Sequence, residues 1–169
     1  MVPNLLNGLK GCWNGSCRTW LEDGVLSDES PIRGEFHDVM GGLWFRHHYL
    51  SSLGGKKREG EELIAFNSIS NEYQIAWIDD FHMADGILFS SGVPQANGFS
   101  VVGFYAVVGS YAVVGSYEVG DGKAPWGWRT TYQLELDQSL TIMSWNIEPS
   151  GAEVKAIEIV YARADLLDK

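Results

Sequence analysis

The chain has 169 residues, 45% hydrophobic and 20% charged, which fills one domain spanning 1–169 and is too short for two well-formed cores. Its formal net charge of −10 repels phosphate backbones and anionic headgroups, so nucleic acid and membrane surfaces are not expected partners. The start, MVPNLLNGLKG, has no basic segment followed by an apolar run, and no apolar stretch reaches membrane-span length, so a cytoplasmic protein is expected.

Twenty glycines with seven each of Trp, Tyr and Phe favour pleated, half-buried surfaces broken by turns. Period-two alternation predicts strands over 9–22, 31–39, 42–51, 61–68, 72–80, 85–91, 97–108, 110–119, 126–137, 139–148 and 153–163. Turn chemistry separates them at Gly41-Gly42, Gly54-Gly55, Ser70-Asn71, Asp85-Gly86, Asn97-Gly98, Asp121-Gly122 and Ser150-Gly151. So many consecutive antiparallel strands need two packed sheets or a closed barrel, and closure removes the edges that invite aggregation. Cys12 and Cys17 fall on opposite faces of one strand and are expected as free thiols.

The unit VVGxY occurs three times, beginning at Val101, Val107 and Val113. A step of six residues preserves the face of a strand, so a duplication of this unit lengthens a hairpin without flipping its side chains. The run is uncharged from Val101 to Tyr117, which predicts that it is paired or covered, with a homodimer contact expected on the 99–119 region.

Near the start, Gly11, Trp13 and Gly15 form G-x-W-x-G, a large ring between two residues that allow close backbone approach. Near the end, KAIEIVYAR places Ile157, Ile159, Tyr161 and Arg163 on one face. An inward Arg163 needs a partner, and the face of Trp13 supplies one by cation–π attraction if the first and last strands are neighbours.

This pairing resembles the calycin arrangement of lipocalins. More closely, the chain resembles the bacterial family called domain of unknown function 1579, through GCWNGSCRTW, the block from His37 to Phe81, and GAEVKAIEIVYAR. The resemblance implies an all-β fold, a single closed antiparallel β-barrel of about ten strands, and brings no biochemical activity with it. Haem-binding nitrobindins also begin with G-x-W-x-G, but their haem histidine lies near the C-terminus and the last histidine here is His82, so the haem site does not carry over. The histidines lack metal-ligand spacing and the two cysteines lack a partner pair, so no haem, other cofactor or metal is expected.

Candidate binding residues follow from the alternation. WGWRTTYQLEL sets Trp126, Trp128, Thr130 and Tyr132 on one face, a row suited either to a cavity wall or to a filled core. YQIAWIDDF sets Trp77 beside Asp79, whose carboxylate can meet a ligand, pair with a buried arginine such as Arg46, or cap the following turn. Of the adjacent His47 and His48 one alone can face inward, and His47 shares its face with Phe45 and Tyr49. These residues predict a small, largely apolar ligand held by Trp77, Trp128 and Tyr132 and oriented by Arg46, His47 or Asp79. Without a G-x-S-x-G, Walker or zinc motif, a binding protein is favoured over an enzyme, the alternatives being cavity catalysis and a filled structural domain.

Overall fold

The computed structural model describes residues 4–83, 86–108, 112–114 and 125–164. After a six-residue helix, α1 (Asn4–Leu9), come β1 (Gly11–Glu22), β2 (Val25–Val39), β3 (Trp44–Leu53), β4 (Lys56–Asn67), β5 (Glu72–Asp79) and β6 (Leu88–Gly92). The rest is β7 (Pro94–Gln95), β8 (Gly98–Val108), β9 (Ala112–Val114), β10 (Trp126–Leu134), β11 (Leu140–Ile147) and β12 (Glu153–Arg163). Neighbouring strands run β10-β11-β12-β1-β2-β3-β4-β5-β6-β8, and pairing of β8 with β10 closes the circle. The fold is thus a closed antiparallel barrel of ten strands, with β7 and β9 both pairing with β8.

Alternation sorts the side chains. On β3, Phe45, His47 and Tyr49 are buried, and on β5 so are Tyr73, Ile75, Trp77 and Asp79. Strand β2 starts at Val25, six residues before the expected start at 31, because the arm from Val25 onward pairs with β1 out to Glu22. Of the VVGxY run, the first unit lies on β8. Most of the second and third units lie outside the described residues, and so do residues 109–111 and 115–119 of the expected homodimer contact.

Helix α1 is the element that periodicity does not reveal, since six residues are too few to display a 3.6-residue repeat. Its stability comes from burial: Leu6 and Leu9 are fully enclosed at one end of the barrel, which they plug. The same end holds Trp13, 1% exposed, whose Nε1–H donates to Leu9 O at 2.8 Å. Trp13 and Arg163 are direct partners across β1 and β12, and the guanidinium lies 4.0 Å from the Trp13 ring centre. Arg163 departs from expectation in one respect. It is exposed at the rim and donates to the carbonyls of Gly8 and Lys10, so it clamps the plug from outside.

The last carbonyls of a helix have no partner within it, and a cation suits its negative pole. Arg163→Ala is expected to lower stability by about 1–2 kcal/mol, through loss of the ring contact and of two hydrogen bonds. Urea unfolding followed by tryptophan fluorescence checks this, and an unchanged midpoint would contradict the clamp.

Candidate functional site

Strand directions divide the barrel interior into two halves. The half beside α1 is filled by Trp13, Phe36, Phe45, Tyr73, Phe99, Tyr132, Leu140 and Tyr161. Tyr73, Phe99 and Tyr132 stack face to face there, with ring centres 4.1 and 4.6 Å apart. Toward the opposite, distal end lies a cavity of about 40 Å³, roughly room for three waters at 10–15 Å³ each. Its apolar wall includes Ile75, Leu88, Val101, Ile142, Ile157, Ile159, Trp77 and Trp128. Its polar wall is made by Cys17, His47, Tyr49, Ser51, Arg58, Glu62, Ser90, Thr130 and Ser144.

The inner face of β4 explains why polar groups gather here. It reads Arg58, Gly60, Glu62 and Ile64, two charges separated by a residue without a side chain. A Cβ at Gly60 would stand 2.1 Å from the Tyr49 Oη, so glycine is what admits that hydroxyl. Tyr49 Oη in turn accepts the Trp77 Nε1–H at 2.9 Å.

Glu62 anchors the boundary between the filled and open halves. One of its oxygens, Oε2, faces His47 Nδ1 at 2.6 Å and accepts the hydroxyl of Tyr132, while His47 Nε2 lies 3.3 Å from Tyr161 Oη. Phe36 stacks on the imidazole at 3.9 Å, locking the plane of the ring. Burial, and then the Glu62 charge, push the Tyr132 hydroxyl well above its ordinary range, so it serves as a fixed donor.

A second network sits at the distal end. Asp79 Oδ1 accepts the backbone N–H groups of Phe81, His82 and Met83, the last two at 2.7 Å, and so pins the start of the β5–β6 connection. Asp79 Oδ2 meets His82 Nδ1 at 2.9 Å and Arg58 Nη2 at 3.7 Å. Burial raises the Asp79 carboxyl, but His82, the Met83 N–H and Arg58 together outweigh it and hold the group below the usual carboxylate range. Burial likewise depresses His82 against the opposing pull of Asp79. The His82 ring lies 5.6 Å from Trp77 and 5.5 Å from Trp128, and the two indoles stack at 5.3 Å.

The six expected binding residues therefore separate. His47, Trp77 and Trp128 line the cavity. Tyr132 and Asp79 are buried behind it, with their polar atoms engaged by Glu62 and by the Arg58–His82 cluster. Arg46 is a correction: on a strand where His47 faces inward its neighbour must face outward, and its half-exposed side chain pairs with Glu61 on the surface. The buried arginine that Asp79 meets is Arg58. Arg58, Glu62 and Tyr49 were the residues missed. The alternation R-x-G-x-E on β4 was a signal for the first two, since a strand placing Ile64 inward places Arg58 and Glu62 there too.

Cys12 is exposed and Cys17 buried, both free. Burial raises the Cys17 thiol, against smaller lowering by Arg58 and the hydroxyls of Thr19 and Ser51, so it stays protonated and is a poor nucleophile. Among the described residues no three His, Cys, Asp or Glu side chains group as a metal site requires, and no helix is long and apolar enough to cross a membrane. The arrangement sets hydrogen-bond donors and acceptors inside an apolar wall.

No curated protein matches this sequence. The family model described as Protein of unknown function (DUF1579) matches residues 3–163. That span runs from the α1 plug through the Arg163 clamp, so the chain belongs to the DUF1579 family.

Proposed function

We propose that the distal half of the barrel binds a small molecule. The observation that carries this reading is a cavity whose walls keep polar groups unspent inside an otherwise packed interior: Arg58 Nη1 is buried without a hydrogen-bond partner. Buried donors are ordinarily paired, and a donor facing a small void invites a ligand or water. The size narrows the ligand. Sites for drug-sized apolar molecules span roughly 300–1,000 Å³, whereas this cavity is about 40 Å³. The reading is therefore a ligand of few heavy atoms, with Trp77 and Trp128 as wall and the hydrogen-bonding groups supplying direction.

A fragment screen observed through the indole N–H signals of Trp77 and Trp128 tests it. Hits should shift these signals saturably, and a ligand at 100 times its Kd should add about 2.7 kcal/mol of stability. Ile142→Phe puts an aromatic ring into the cavity wall and should abolish the shifts while the protein stays folded. A screen in which no compound moves either indole would defeat the reading.

A further inference from the structure

Two donors in this cavity lack acceptors, and they stand on adjacent strands. Arg58, 5% exposed, has Nη1 buried and unpartnered. Its Nη2 lies 3.1 Å from His82 Nδ1, yet that nitrogen is 2.9 Å from Asp79 Oδ2. One imidazole nitrogen cannot donate to a carboxylate and accept from a guanidinium at once, and the shorter, charge-assisted contact takes the proton. Arg58 is thus left with little hydrogen bonding of its own.

Tyr49 is the second donor. Its oxygen accepts from Trp77 Nε1, but its own O–H donates to no described residue. Burial, with the charges of Asp79 and Glu62, pushes this hydroxyl well above its ordinary range, so the proton is present. Tyr49 pairs with Gly60, two residues from Arg58 on the same face of β4, so the two donors are neighbours on one wall.

Charge selects the kind of acceptor. Arg58 already faces the Asp79 carboxylate, and Glu62 adds a second carboxyl to the interior beside His47. What is unmet is hydrogen bonding rather than charge, and an anion would enter against two buried carboxyl groups. A neutral carbonyl oxygen accepts two hydrogen bonds and brings no charge.

We propose that Arg58 and Tyr49 form a two-donor site for the oxygen of a small uncharged carbonyl compound, a ketone or an amide. The proposal rests on the reading of the barrel as a small-molecule site. Its test titrates isotopically labelled protein with formamide and, separately, with formate, an anion with the same three heavy atoms. The Trp77 indole N–H reports directly, because it is hydrogen-bonded to the Tyr49 oxygen. The expected result is a saturable shift with formamide and none with formate at equal concentration. Tyr49→Phe and Arg58→Lys should each weaken formamide about tenfold; Tyr49→Phe leaves the Arg58–Asp79 pair intact and so guards against loss of fold. Preference for formate, or formamide binding unchanged in both variants, overturns the carbonyl site. Silence to both probes also overturns it, while hits of other chemistry in the fragment screen would leave small-molecule binding standing.

Discussion

Gly15→Ala is expected to destabilise the protein by about 3 kcal/mol or more, a large share of the roughly 5–15 kcal/mol that holds a domain folded. Gly15 occupies an inward position on β1 between Trp13 and Cys17. A Cβ there would stand 2.0 Å from Val160 O, 2.9 Å from Val160 C and 3.0 Å from the Tyr161 Cα. All three are backbone atoms of β12, so relief requires moving a strand rather than rotating a side chain. That strand is also the one that joins β1 to β11. Asn14→Ala, next in sequence but outward and exposed, is the control and should change stability by no more than about 0.5 kcal/mol. Urea denaturation compares them, and equal midpoints would contradict a requirement for glycine.

The same residue shows what the sequence made legible. G-x-W-x-G and the final arginine can be read because each combines an unusual residue with a physical need: close backbone approach at Gly15, an aromatic face for Arg163. The pairing of first and last strands was legible too, since Trp13 and Arg163 sit at opposite chain ends and closure brings them together. The plug was not, because Leu6 and Leu9 draw their helical conformation from the barrel that encloses them. Arg46 and Arg58 mark the limit inside the site. Arg46 lies on an expected strand and its face decides its burial, whereas Arg58 precedes the expected strand 61–68 and is inward because β4 in fact begins at Lys56. Anchoring the strand on Ile64 and running it back through Gly60 would have chosen Arg58. That Tyr49 would lie over Gly60 required the β3–β4 register, which alternation alone does not supply.

Asp79→Ala is expected to cost about 3–5 kcal/mol, the range for removing one member of a buried ion pair. Two losses combine. Arg58, with a side chain 6% exposed, keeps its charge and loses its counterion, and the three N–H groups of Phe81, His82 and Met83 lose their common acceptor. Adding Arg58→Met separates them: it removes the stranded charge and should recover about half of the loss, leaving the part due to the loop. The effect also depends on pH. Asp79 is held below the ordinary carboxylate range, so the unfolded chain takes up its proton first. Its stabilisation is complete above the unfolded pKa near 4 and disappears as pH falls through the lower folded value. His82 is depressed by burial and acts in the same direction, with loss beginning below its unfolded pKa of about 6.5. The wild-type protein should therefore lose stability from about pH 6.5 downward and more steeply below about pH 4. The gap between wild type and Asp79→Ala, measured by urea unfolding at a series of pH values, should hold or widen from about pH 6.5 to about pH 4, because the variant lacks the pull of Asp79 that raises His82, and should narrow toward about pH 3 as Asp79 takes up its proton. A gap that stays constant across that range would show that Asp79 acts through shape alone and not through its charge.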